Sequence, residues 1–185
     1  MGHGGDVIAE LTADHREVDE LFRQFEAAPS GSEDRRRLVD ALTIELVRHS
    51  VAEEEYLYPV AREHLEEGDA LADKELAYHL RVEQLLNDLQ QREAGDLDFD
   101  RMVLKLRTEV TAHVADEGHR LFTQLRNGVH PYVLEELGNK VRQAKMTAPT
   151  RPHPSAPSTR PANKLLAPGL GMVDRVRDYV SGRGH

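Results

Sequence analysis

Apolar residues recur along the first 145 positions at alternating spacings of three and four, as helices with one inward stripe require. Ile8, Leu11, Val18, Phe22 and Phe25 form the first stripe, with His15 inside it. Asp6 can cap that helix, and Pro29-Ser30-Gly31 ends it. The second stripe runs Leu38, Leu42, Leu46, His49, Glu53, Tyr56, Val60, from a Ser32 cap to about Glu66, with Pro59 kinking or ending the regular ladder. The third carries Ala72, Leu76, His79, Glu83 and Leu86 between Gly68-Asp69 and Gly95-Asp96. The fourth follows Asp98 with Phe99, Val103, Leu106, Val110, His113, Glu117 and Leu121, and stops at Asn127-Gly128. Four such helices with short connections predict an all-α, up-down-up-down four-helix bundle. Pro131 then opens a fifth helix with Leu134, Leu137, Val141 and Ala144 on one side, ending near Lys145 and packing on the outside of the bundle.

Past Met146 the pattern stops. Six of the nine prolines lie between 149 and 168, interleaved with Ser, Thr, Ala and Arg, so 146–168 reads as an extended linker. Leu170, Val173, Val176 and Val180 resume helical spacing. The expected division is a bundle with its fifth helix over 1–145, a Pro-rich linker over 146–168, and over 169–185 a flexible tail with a short amphipathic helix. That helix offers a surface to a protein partner.

Charge separates the same two regions. Residues 146–185 hold six Lys/Arg against two acids, whereas 1–145 hold 18 against 31. An acidic body lacks the basic face that phosphate contacts need, so no nucleic-acid partner is expected. No apolar run approaches the ~20 residues of a membrane span, and no hydrophobic leader follows a basic start. A soluble cytoplasmic protein is expected. The absence of Cys excludes disulfides, thiolate metal sites and iron–sulfur ligation.

The polar residues inside the stripes are the candidate chemistry. A helix advances about 100° per residue, so residues four apart share a face. The first helix contributes His15, the second His49 and Glu53, the third His79 and Glu83, and the fourth His113 and Glu117. Buried carboxylates are tolerated only when paired or metal-bound. Seven N/O ligands, with carboxylates able to bridge, suit iron or manganese at a dinuclear centre, and the abundance of imidazole favours iron. Mutually neutralising His–Glu pairs are the alternative, but they do not explain a repeat on three helices. No His follows a Glu by three positions, so the Glu-x-x-His arrangement of ferritin-like di-iron bundles is absent. Tyr56, seven residues after His49 and on its face, is the candidate catalytic phenol, either binding ferric iron or donating to a bound oxygen species; otherwise it packs at the end of the core. Tyr58, about 180° from His49, is expected to face outward. Asp19 is a further candidate ligand or a surface partner of Arg23, and Glu45 a candidate partner for an imidazole N–H. Glu54, Glu55, Asp116, His64, His119 and His130 read as surface or caps.

His15 in Thr-Ala-Asp-His-Arg-Glu-Val, His49-x-x-x-Glu53 running into Glu55-Tyr-Leu-Tyr-Pro59, His79-x-x-x-Glu83 and His113-x-x-x-Glu117 together resemble the hemerythrin-like (HHE cation-binding) family over about residues 6–127. The resemblance implies a bundle with two non-haem iron ions, oxo- or hydroxo-bridged, that handles O2, peroxide or NO. It implies His15, His49, Glu53, His79, His113 and Glu117 as ligands. Oxygen-carrying hemerythrins have His-x-x-x-His on the third helix and His-x-x-x-x-Asp on the fourth, where this chain has Glu83 and Glu117. The more anionic set favours the ferric state. Peroxide decomposition or oxidative-stress handling, with catalase-like or peroxidase-like activity, is the expected function. An O2, NO or iron sensor or carrier signalling through the tethered helix is the alternative. Lack of Cys sets the chain apart from the family's iron–sulfur repair members.

Overall fold

In the computed structural model, which describes residues 4–153, 172–174 and 177–178, each helix starts where local chemistry lets it. Asp6 Oδ1 accepts the Ala9 N–H at 2.8 Å and opens α1 (Val7–Ala27). Gly31, at φ +74°, makes the left-handed turn that Pro29-Ser30 leads into. Ser32 Oγ then accepts the Arg35 N–H and opens α2 (Glu33–Ala52). His130 Nδ1 accepts the Tyr132 N–H ahead of Pro131, which opens α7 (Pro131–Thr147). Between these lie α3 (Tyr58–His64), α4 (Gly68–Gln90), α5 (Phe99–His119) and α6 (Leu121–Gly128). The third leg stops at Gln90, short of Gly95, and Asp98 pairs with Arg101 instead of capping α5.

The second leg is not one regular helix. Glu53–Leu57 form a π turn in which the Tyr58 N–H reaches the Glu53 carbonyl, five residues back. The turn inserts one residue into the ladder and hands the chain to α3, whose first turn holds Pro59. The interruption therefore comes before Pro59. Arg120 marks a lesser break between α5 and α6, across which helical hydrogen bonding continues. The legs are thus α1, α2–π–α3, α4 and α5–α6, in the all-α bundle expected. Helix α7 packs against α1 and α2 through Leu134, Leu137, Val141 and Ala144.

Two apolar layers fill the interior. One collects Val18, Phe22, Phe25, Leu42, Leu46, Val82, Leu86, Phe99, Val103 and Leu106. The other collects Ile8, Leu11, Leu57, Ala61, Leu71, Ala72, Leu121, Phe122, Leu125 and the inward side of α7. His15, His49 and His113 fall between the two sets on their helices, and His79 lies beside Tyr78 at the edge of the first, so a polar layer crosses the bundle at one level.

Met146 and Thr147 belong to α7, and Ala148 and Thr150 are buried. Asp174 accepts the Thr150 and Arg151 N–H groups at 3.1 Å, and Asp178 pairs with Arg151. Residues 172–174 and 177–178 are helical. The rest of the expected linker and most of the expected amphipathic helix lie outside the described residues. Among the described residues, no helix is long and apolar enough to cross a membrane.

Gly68 sets the approach of α4 to α3. A Cβ there would sit 2.0 Å from the Ala61 carbonyl oxygen, which is backbone and cannot step aside. Gly68→Ala is expected to cost about 1–3 kcal/mol in urea unfolding; unchanged stability would contradict this packing.

Candidate metal centre

Each leg delivers one imidazole to the polar layer. His15 Nε2 lies 3.2 Å from His49 Nε2 and 3.4 Å from Glu117 Oε2. His49 Nε2 lies 3.2 Å from Glu53 Oε1, and His79 Nε2 lies 3.1 Å from Glu53 Oε2. His113 Nε2 is 3.9 Å from Glu117 Oε2. Ligand atoms of His15, His49, His113 and Glu117 lie within 4.8 Å of one another, as do those of Glu53, His79 and His113. His113 joins the two groups.

The Nδ1 side of three rings is held from behind. Asp14 Oδ2 is 3.2 Å from His49 Nδ1, Glu54 Oε1 is 3.0 Å from His79 Nδ1, and Glu75 Oε2 is 2.8 Å from His113 Nδ1. A carboxylate on Nδ1 keeps the proton there and presents the Nε2 lone pair inward. Tyr78 lies flat on His113, with centroids 4.0 Å apart and planes 2° from parallel.

Glu53 and Glu117 are the ring's demanding members. Both are 0% exposed. Glu53 Oε1, both Glu117 oxygens and His113 Nε2 have no hydrogen-bond partner. Their imidazole and carboxyl neighbours lie 3.2–3.9 Å away, so these atoms face a shared space. Such buried carboxyl oxygens without partners, facing imidazole nitrogens, fit a cation of the N/O-ligated kind.

The π turn decides which phenol joins this ring. Because it adds a residue, Tyr58 swings inward, contrary to the outward position that an unbroken helix predicts. Tyr58 is 2% exposed; its hydroxyl donates to Glu53 Oε2 at 3.0 Å and lies 3.0 Å from His79 Nε2. Tyr56 packs, half-buried, against the apolar layer that contains α3, α6 and α7. Glu83 is not brought to the ring: its carboxylate accepts the His153 N–H at 2.7 Å. Asp19 pairs with Arg23 and Glu45 loosely with Arg48, while His130 acts as a cap. Glu54 and Glu55 depart from the surface reading: Glu54 holds His79, and Glu55 is buried.

Asp14, Glu54, Glu75 and Tyr58 are the participants that sequence reasoning missed. Asp14 and Glu75 carried a signal, since each sits on an inward stripe, between Leu11 and Val18 and between Leu71 and Tyr78.

Burial and charge act against each other in the ring. Burial lowers His49, but Glu53 and Asp14 override it and hold His49 up at about 10. His79 is likewise disfavoured by burial and raised to about 9 by Glu53 and Glu54. Burial and the His49 charge drop His15 to about 3. Burial and the facing Glu53 push Glu117 well above the carboxylate range, whereas His49 and His79 outweigh burial and hold Glu53 well below it.

The model of the hemerythrin HHE cation-binding domain matches residues 6–125. An uncharacterised hemerythrin-like protein of Schizosaccharomyces pombe is 26% identical over 168 residues, 90% of this chain and 82% of its own. A protein of Nostoc named DNA nickase is 28% identical over 140 residues, 73% of this chain but 38% of its own length. The crystal structure of a hemerythrin HHE cation-binding domain-containing protein from Mycobacterium kansasii superposes with a TM-score of 0.67 at 25% identity, covering 76% of this chain and 85% of that one.

His49 and His79 have folded values raised to about 10 and about 9 against an ordinary value near 6.5. A raised histidine contributes its full stability below the unfolded value and loses it as pH climbs through the folded value. Glu117, also raised, acts in the same direction, while the depressed Glu53 acts only in acid. Chelator-treated protein is therefore expected to lose thermal stability between about pH 7 and pH 10 by calorimetry. A Tm that stays level or climbs across that window would contradict the assignment.

Proposed function

This chain belongs to the hemerythrin HHE cation-binding family, and we propose that it holds two non-haem iron ions and decomposes peroxide. His15, His49, His113 and Glu117 would hold one ion, and Glu53, His79 and the shared His113 side of the ring the other. The observation that carries this reading is the pair of fully buried carboxylates, three of whose four oxygens lack hydrogen-bond partners yet face imidazole Nε2 atoms. All donors are nitrogen or oxygen, which suits iron, with manganese the less favoured occupant. Manganese and iron are distinguished by the metal analysis below.

Bound iron supplies a redox change and a Lewis acid. The chain's own residues do the rest. Asp14, Glu54 and Glu75 keep Nδ1 protonated on His49, His79 and His113 and so aim Nε2 inward. Tyr58 takes the role that helical spacing assigned to Tyr56: its hydroxyl, held by Glu53, is a proton donor facing the ring. A cavity of about 10 Å³, lined by His15, His49, Tyr78, His79, His113 and apolar side chains, admits a guest about the size of one water molecule. So small a space favours a guest of a few atoms, such as peroxide, O2 or NO, over an organic substrate. Val18, Leu46, Val82 and Val110 give this cavity its apolar walls.

A second reading, as a sensor or carrier of the same small ligands, draws on the clasp between α4 and the C-terminal region. The His153 N–H donates to Glu83, one turn beyond His79, and His153 Nε2 meets Asp174 at 3.0 Å.

Protein purified from iron-replete cells is expected to contain two irons per chain with ferric charge-transfer absorption, and to evolve oxygen from added peroxide faster than free iron. His113→Ala should abolish both. Glu75→Gln should weaken metal affinity roughly 10–100-fold, while Glu83→Gln should leave it nearly unchanged. Metal-free, colourless protein would sink both di-iron readings; iron-loaded protein no faster than free iron would leave only the sensor or carrier.

A further inference from the structure

Helix α7 carries a buried cation that neither the fold nor the ligand set requires. Lys145 is 8% exposed, and its Nζ donates to Asp14 Oδ1 and, at 3.4 Å, to Glu10 Oε1. Glu10 is fully buried and also meets Arg142 at 3.3 Å and the Gly4 N–H at 3.1 Å. Asp14 turns its other oxygen to His49 Nδ1. A continuous path therefore runs from α7 through α1 to an imidazole on α2.

The path has an electronic consequence. A carboxylate on Nδ1 pushes electron density toward Nε2 and makes the ring a stronger donor. An ammonium on the far oxygen of that carboxylate withdraws part of the push. A compact, permanently placed positive charge in a low-dielectric interior acts at this range with little screening. Removing a cation from a buried pair would ordinarily be costly, which accounts for the close fit of Lys145 between two acids.

We propose that Lys145 is a positioning residue for the metal centre: through Asp14 it fixes the His49 ring and raises the reduction potential of the cation that His49 holds. The fifth helix is then part of the redox site and not merely packing. This rests on the di-iron reading, and the test separates the two.

Midpoint potentials are measured on iron-loaded, full-length protein. Lys145→Gln keeps a hydrogen-bond donor toward Asp14 but removes the charge. It is expected to lower the potential by about 59 mV, a tenfold change in a one-electron reduction equilibrium. Arg142→Gln, which touches Glu10 and not Asp14, should leave the potential where it was. In an Asp14→Asn background, Lys145→Gln should have no further effect. Should Lys145→Gln fail to fold, Asp14→Asn alone decides, with an expected rise in potential. An unchanged potential in either single variant at Lys145 or Asp14, or an undiminished Lys145 effect without Asp14, overturns the inference while leaving the di-iron reading standing. If the wild type takes up no iron, the di-iron reading fails. The His49 Nδ1–H resonance in ¹⁵N NMR of the full chain then decides the linkage: a shift on Lys145→Gln upholds it, and an unmoved resonance overturns it.

Discussion

Two carboxylates taken wholly out of water organise this molecule. Glu53 and Glu117 sit between two apolar layers, where an isolated anion would cost more than a domain's net stability. Their neighbours are four imidazoles. Three of these have Nδ1 tied to further acids, so the charge problem is passed outward and not relieved. Protons on His49 and His79 give partial relief. Cations shared among these side chains would give more, because each would satisfy several lone pairs that already converge. The bundle's other features make sense as consequences: a polar layer at one level, and supporting acids from neighbouring helices.

The π turn shows how local backbone geometry chooses between side chains. One inserted residue after Glu53 exchanges Tyr56 for Tyr58 at the ring and moves Leu57 into the apolar layer. The same turn lets Glu53 and Glu54 face inward in succession: Glu53 meets His49 and His79 at Nε2, and Glu54 meets His79 at Nδ1. A regular helix would set those two carboxylates about 100° apart.

What could be read from the chain alone follows from this physics. Apolar spacing located four legs and a fifth helix, since burial imposes the 3.6-residue period wherever a helix is regular. The four histidines were visible because each interrupts such a stripe. Tyr58 was not, because nothing in residue spacing announces a π turn. Asp14 and Glu75 sit on inward stripes, but the histidine each serves is on a different helix, a relation set by tertiary packing. Glu83 has helical spacing from His79, yet its carboxylate meets the His153 backbone rather than the ring. The i, i+4 rule specifies a shared face but not how wide a stripe the neighbours bury.

Lys145 extends the same logic to the edge of the bundle. Placing α7 over α1 buries a cation against Asp14 and Glu10, so the outermost helix reaches the electrostatics of the innermost layer. The central claim is that the buried carboxylates exist to share cations. Anomalous diffraction at the iron edge from crystals of the iron-loaded protein tests it most directly. Two peaks within the His15, His49, His79 and His113 ring, each contacted by Glu53 or Glu117, are predicted. No peak there, or iron bound at another set of side chains, would contradict the account.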